Sequence, residues 1–194
     1  MTTRKHAFCG ILALVSLLGL GTTQSARANF IAVINQVGTD VVVTGSGTID
    51  LTGLSLFADG SSPDAQIIPI QGVLSLQYGS IFVYANISGP TSFGMGGITR
   101  ASSSSGDVVG LYGFGSNMLV VPAGYVSGNP LSDTSTYNNA TVAGLGLTPG
   151  TYTWTWGTGI HADSFELQIV PEPSTLALLG LAAIAATVAY RRRN

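Results

Sequence analysis

Acid–base and nucleophilic chemistry needs histidine, carboxylate and hydroxyl side chains brought together, and these are thinly spread in this chain. His161 is the one histidine beyond His6, with Asp163 two residues on and serines throughout. A catalytic Ser-His-Asp set uses a histidine that bridges a nucleophile and a carboxylate from separate elements. Here His161 and Asp163 share one loop, and no serine stands in a G-x-S-x-G elbow. A solvated loop histidine is the expectation, and the chain is read as non-catalytic. Paired carboxylates for glycoside cleavage rely on glutamate as the usual acid. Glu166 is the one glutamate before the C-terminal segment, and alternation puts it on the polar face of a strand.

Two further groupings have binding chemistry. Asp59-Gly60-Ser61-Ser62-Pro63-Asp64 offers several oxygens in a short turn, which suits calcium, a hard cation taking six to eight oxygen ligands. It lacks EF-hand spacing, and Asp, Ser, Gly and Pro are also what plain turns select. Tyr152, Trp154 and Trp156 fall on one face of an alternating run. They make either a sugar-stacking platform or the core face of a strand, and the core reading is favoured. Gly94-Met95-Gly96-Gly97 is not a phosphate loop, because neither a lysine nor a helix signal follows.

The elements that must position these residues are strands. Glycine numbers 26 in 194 residues, only 8% of residues are charged, and lysine and glutamate, the usual surface residues of helices, are nearly absent. Alternation is clearest in Thr151–Trp156 and in Ser164–Ile169, two segments expected to pair as an antiparallel hairpin after the turn Leu147-Thr148-Pro149-Gly150. Phe30–Val37 and Asp40–Thr44 flank Gly38-Thr39 as a further hairpin. Weaker strand signals cover Ile49–Phe57, Gln66–Tyr78 with an interruption near Pro69, Ile81–Ala85 after the turn Gly79-Ser80, and an irregular Val108–Val121. Gly94–Gly106 reads as a surface loop. About eight to ten short strands over about 140 residues predict an all-β fold, an antiparallel two-sheet β-sandwich.

Charge is unevenly placed. Between Asn29 and Val170 only Arg100 is basic, against eight acidic side chains, a net −7. Nucleic acids and anionic lipids are held by basic clusters, so nucleic-acid binding is excluded. The single cysteine, Cys9, lies near the N-terminus, before the end of an apolar run. Thiol catalysis and cysteine zinc sites are therefore excluded for a chain that begins at Asn29.

Both termini read as addresses. Residues 1–28 have a basic start (Arg4, Lys5), an apolar run from Ala7 to Leu20 and an A-x-A site, Ala26-Arg27-Ala28, which predicts a signal helix cleaved before Asn29 after Sec export. An uncleaved N-terminal anchor is the competing reading. At the other end, Pro171 and Pro173 stop the ladder, and Ser174 caps an uncharged segment, 174–190. As a helix it would extend about 25 Å, enough for a thin bilayer core. Tyr190 sits where an interfacial aromatic belongs, and Arg191, Arg192 and Arg193 would remain cytoplasmic by the positive-inside rule.

This order, Val170-Pro171-Glu172-Pro173-Ser174, one short apolar helix and a terminal arginine cluster, resembles the PEP-CTERM sorting signal. The resemblance implies processing by an exosortase, a multi-spanning membrane enzyme. It also implies a transient stay in the inner membrane and delivery to the cell surface or exopolysaccharide matrix of a Gram-negative-type bacterium. A plain tail anchor is the alternative. A second likeness lies in Gly124-Tyr125-Val126-Ser127-Gly128, Leu145–Tyr152, Trp154-Thr155-Trp156-Gly157 and Ala162–Phe165, which looks like a pattern common in PEP-CTERM cargo. It implies a β-rich module next to the anchor, with no activity to carry over. The expected layout is a leader over 1–28, a β-sandwich over 29–169 and a sorting segment over 170–194. The expected role is structural or interacting, with a carbohydrate-binding or adhesive module, calcium-dependent or not, as the alternative.

Overall fold

The computed structural model describes residues 29–171 and, beyond them, 183–185, 188, 190 and 191. Alternating β-branched and small residues build strands through the first of these stretches. In chain order they are β1 (Asn29–Val37), β2 (Asp40–Gly47), β3 (Ser55–Ser61), β4 (Gln66–Ile68), β5 (Val73–Ser75), β6 (Ser80–Ala85) and β7 (Thr99–Arg100). There follow β8 (Ser103–Gly106), β9 (Gly110–Tyr112), β10 (Met118–Pro122), β11 (Leu131–Tyr137), β12 (Gly150–Trp156) and β13 (Asp163–Ile169).

They form two sheets. One has six strands in the order β12-β13-β1-β2-β11-β8, the other seven in the order β3-β6-β10-β9-β5-β4-β7. The all-β reading therefore holds, with two corrections. The described residues hold more strands than the eight to ten expected, because glycine and proline cut long segments into pieces. Pro69 and Gly72 divide Gln66–Tyr78 into β4 and β5 around a 3-10 turn, and Gly113 with Gly115 divide Val108–Val121 into β9 and β10. The expected loop Gly94–Gly106 contains β7 and β8. Ile49–Leu54 is not strand, and β3 begins only at Ser55.

The second correction concerns direction. The hairpins β1–β2 and β12–β13 are antiparallel as expected, but β13 lies parallel to β1, with Asn29 opposite Ser164 and Ile34 opposite Ile169. The first and last strands of the domain are thus neighbours within one sheet, with the chain entering and leaving at opposite ends of the pair.

Turns at one end of the seven-stranded sheet line up along β12. Ser88 bridges Thr155 near the end of that strand, and Gly94 bridges Leu147 just before its start. The Ser88–Thr155 bridge pairs one position on the edge of β12, where an unpaired amide would otherwise face another chain.

Between the sheets lies one apolar core. It includes Phe30, Ile34, Val43, Leu119, Val121, Trp154, Phe165 and Leu167, all essentially without solvent exposure. Phe30 and Phe165 face each other across the β1–β13 pair at 5.2 Å between ring centroids. Ile81, Val83 and Val120 make a smaller cluster of their own, packed against Ala58, Val108, Tyr112 and Met118. One glycine is dictated by a close approach. Gly47 closes β2 at φ +143°, and a Cβ there would strike the Asn29 carbonyl oxygen. Only glycine lets β2 pass that close to the first residue of β1.

Candidate functional site

Three places in the molecule bring chemically capable groups together, and parallel pairing of β1 with β13 decides which lie at the same end.

The first is the exit of the chain at the end of β13. Ile169 is buried, and the Val170 amide donates to the Ile34 carbonyl oxygen at 3.0 Å. Pro171 has no amide hydrogen and cannot extend the ladder. Val170 is already 39% exposed. The last core strand therefore passes into Pro171 with no linker between them. Asn29 sits at the opposite end of the same strand pair, facing Ser164.

At that opposite end lies the second place, built by Ile49–Leu54, the loop after β10 and the turn between β12 and β13. Asp50 Oδ2 contacts His161 Nδ1 at 2.8 Å, and Asp50 Oδ1 accepts from the Thr52 amide at 2.9 Å. Burial works against the Asp50 charge, yet the bonds from His161 and Thr52 hold its carboxyl below the usual carboxylate range. Asp163 is buried and accepts from the amides of Asp50 and Ser164, each at 2.6 Å. Burial nonetheless pushes its carboxyl up to about 6. Trp156 Nε1 donates to the Asp50 carbonyl oxygen at 2.7 Å, and the Tyr125 hydroxyl ties Ile49 to Asn129. His161 thus pairs with Asp50, 111 residues away, and not with its neighbour Asp163. No serine hydroxyl is hydrogen-bonded to His161 among the described residues. Beside the pair is an open cleft of about 360 Å³ lined by Asp50, Thr52, Ser127 and His161, with Ile160 at its rim.

The third place is inside the core. β11 alternates strictly, so Leu131, Asp133, Ser135 and Tyr137 all point inward. Among the described residues, both carboxylate oxygens of Asp133, the Ser135 hydroxyl and the Tyr137 hydroxyl are buried with no partner in good hydrogen-bond geometry, although the Gly45 amide faces Asp133 and Ser135 faces the Tyr137 hydroxyl. Burial, helped by the charge of Asp107, pushes the Asp133 carboxyl up to about 7. Asp133 and Asp163 therefore keep their protons in the folded chain at pH values where an ordinary aspartate, with a pKa of 3.8, has lost its own. The folded state binds more protons than the unfolded state between those values, so stability falls as pH rises from about 4 to about 7. Replacing Asp133 with Asn should remove its share of that fall, leaving the part due to Asp163, and stabilise the protein at pH 8 by about 1–3 kcal/mol. Thermal unfolding at pH 4, 6 and 8 checks this, and a variant as pH-sensitive as the parent would contradict it.

The other expected site residues are placed as follows. Trp154 and Trp156 are buried, so they form core and not an exposed stacking row. Tyr152 is half-buried, with its ring edge on Phe93 at 6.1 Å and its hydroxyl donating to the Thr148 carbonyl oxygen at 2.9 Å. Asp59 lies in β3 opposite Phe82, and Asp64 is exposed in the turn that follows. Ser62, between them, turns inward, its hydroxyl against Ser75 Oγ at 2.8 Å and the Gln77 carbonyl oxygen at 2.9 Å. Among the described residues no three His, Cys, Asp or Glu side chains gather as a metal site. Ala26, Ala28, Glu172, Pro173, Ser174, Arg192 and Arg193 lie outside the described residues. So does most of the expected span 174–190, of which 183–185, 188 and 190 are described and helical, as is Arg191. Among the described residues no helix is long and apolar enough to cross a membrane.

Residues 170–193 match the family model of the PEP-CTERM protein-sorting motif. The chain carries a PEP-CTERM sorting motif. No curated protein and no solved structure matches the chain. A PEP-CTERM motif implies an exported protein that is held transiently in a membrane and processed by an exosortase. The matched segment begins at Val170, the residue whose amide makes the last bond to β1. Folded body and sorting signal thus meet at one residue.

Proposed function

We propose that the domain is a non-catalytic surface or matrix protein, carried through the inner membrane, cut by an exosortase and deposited with exopolysaccharide outside the cell. The observation that carries this reading is the junction at Val170. The signal is the direct continuation of a central core strand, so processing beyond Val170 releases an intact sandwich with no tail to fold separately. The polar groups also favour a structural role. Asp163 is engaged by two backbone amides, and the Asp50–His161 pair fastens one loop to another. Extraction of the exopolysaccharide layer from the producing cell tests the reading. The processed chain should leave the cell with the polysaccharide, and should appear free in the medium when polysaccharide synthesis is deleted. A processed chain that is free in the medium in both strains would sink the matrix role.

A carbohydrate-binding or adhesive role is the second reading, and the cleft beside His161 favours it. Ile160, 88% exposed, offers an apolar surface next to the hydrogen-bonding groups of Asp50, Thr52 and Ser127. A sugar ring presents the matching combination of an apolar face and a hydroxylated edge. A glycan array probed with and without calcium distinguishes the two readings, since absence of binding in both conditions removes the second.

A further inference from the structure

We propose that the end of the domain from which the sorting motif leaves is a membrane-docking face, whose exposed apolar side chains rest in the interfacial region of the phospholipid bilayer that holds the anchor. This rests on the reading of the PEP-CTERM segment as a transient membrane anchor.

The chain itself limits where this end can lie. Val170 is bonded to Ile34, and the expected apolar segment begins at residue 174, only a few residues further on. At about 3.3 Å per extended residue, Val170 stands no more than about 15 Å from the start of that segment. The surface around Val170 therefore faces the headgroups whenever the anchor is inserted.

What that surface presents fits such a setting. β1 runs three residues past Ile34 to Val37, which is 57% exposed. Pro149, exposed, precedes Gly150, the residue opposite Ile169. Met95, 81% exposed, is held to this end by its amide bond to the Gly146 carbonyl oxygen at 2.9 Å. Pro149 also lines an apolar cleft of about 220 Å³, together with Val142, Ala143 and Leu147.

Charge is distributed in the same sense. Asp40 is the one carboxylate of the β1–β2 turn, and it is engaged by the Asn139 amide at 2.8 Å and by the Thr39 hydroxyl at 3.2 Å. Asp50, Asp107, Asp133 and Asp163 belong to the half of the six-stranded sheet that contains Asn29. A domain of net −7 is repelled by anionic lipid. Standing on its Val37–Val170 end places Asp50 and Asp107 away from the bilayer and sets Val37, Met95 and Pro149 against it. Isolated apolar side chains at an interface bury only a shallow depth, about 5–10 Å, so the contact is weak and ends once the motif is cut.

The test uses the processed chain from Asn29 to Asn194, which contains no cysteine, reconstituted in phosphatidylethanolamine–phosphatidylglycerol vesicles. A single cysteine is introduced as Val37→Cys, Met95→Cys or Thr158→Cys and labelled with an environment-sensitive fluorophore. Lipids bearing a nitroxide near the headgroup should quench the labels at 37 and 95 about threefold more than the label at 158, as shallow burial of one end requires. Inserted protein with equal quenching at all three sites would overturn docking and leave the anchor reading standing. Labels at 37 and 95 that are shielded from water but not quenched by nitroxide lipid would overturn it in favour of a second copy of the chain on this face. Chain that does not float with the vesicles at all would overturn the anchor reading, and docking with it.

Discussion

Replacing Pro171, Glu172 and Pro173 together with alanine should leave the protein in the membrane fraction as an uncut precursor, with the processed fraction reduced tenfold or more. The backbone ladder ends with the Val170–Ile34 bond, so the substitutions lie beyond the last hydrogen bond of the sandwich and should not alter its stability. What they remove is local. Each proline fixes φ near −65° and withholds an amide, so the chain is kept out of both the sheet and a regular helix. Three alanines lift that restriction, and alanine has the highest helix propensity of any residue. A helix starting at residue 174 could then grow back towards Val170 and remove the extended stretch that a processing enzyme needs. Pulse-chase labelling with separation of membrane and medium measures the effect. Normal processing of the alanine variant would mean that the arginines and the apolar segment are sufficient as a signal.

Trp154→Ala should cost about 3–5 kcal/mol, the usual range for a buried aromatic cut to alanine. The side chain has no solvent exposure, and its ring meets Phe165 edge-on at 6.1 Å. Its Nε1 donates to the Pro90 carbonyl oxygen at 2.9 Å and lies 3.3 Å from Asn117 Oδ1. Gly89 packs directly on the indole, so closely that a Cβ at Gly89 would clash with it. Truncation therefore opens a cavity and also strands the Pro90 carbonyl in the segment whose Ser88 bridges β12 at Thr155. Domains of this size are commonly stable by about 5–15 kcal/mol, so the variant should melt far below the parent or fail to accumulate. Trp154→Phe keeps most of the volume but not the donor and should fall between the two. Urea unfolding of the three proteins gives the order. A Trp154→Ala variant within about 0.5 kcal/mol of the parent would mean the ring lies on the surface as a stacking platform after all.

How much of this was legible in the sequence depended on the range of the signal. Period-two alternation is local, and it located β1, β2, β12 and β13 and put Trp154 and Trp156 on the core face. The same alternation in Leu131–Tyr137 puts Asp133 and Ser135 on the face of Leu131 and Tyr137, so the buried polar stripe was readable there and was missed. Parallel pairing of β1 with β13 was not legible, because nothing local marks a partner 135 residues away, as at the Asn29–Ser164 contact. The Asp50–His161 pair escaped for the same reason. His161 was read as a solvated loop histidine, and its neighbour Asp163 turns inward to bond backbone amides. The sorting motif was the most legible element, since its chemistry lies in a contiguous run of prolines, apolar residues and arginines.

The most direct measurement is the intact mass and location of the protein in its native host, with and without the exosortase. Mass lost from the C-terminus beyond Val170, with release from the membrane only when the enzyme is present, is the predicted result. A chain that retains its C-terminal segment and stays in the membrane fraction in both strains would contradict exosortase sorting and leave a tail-anchored domain in its place.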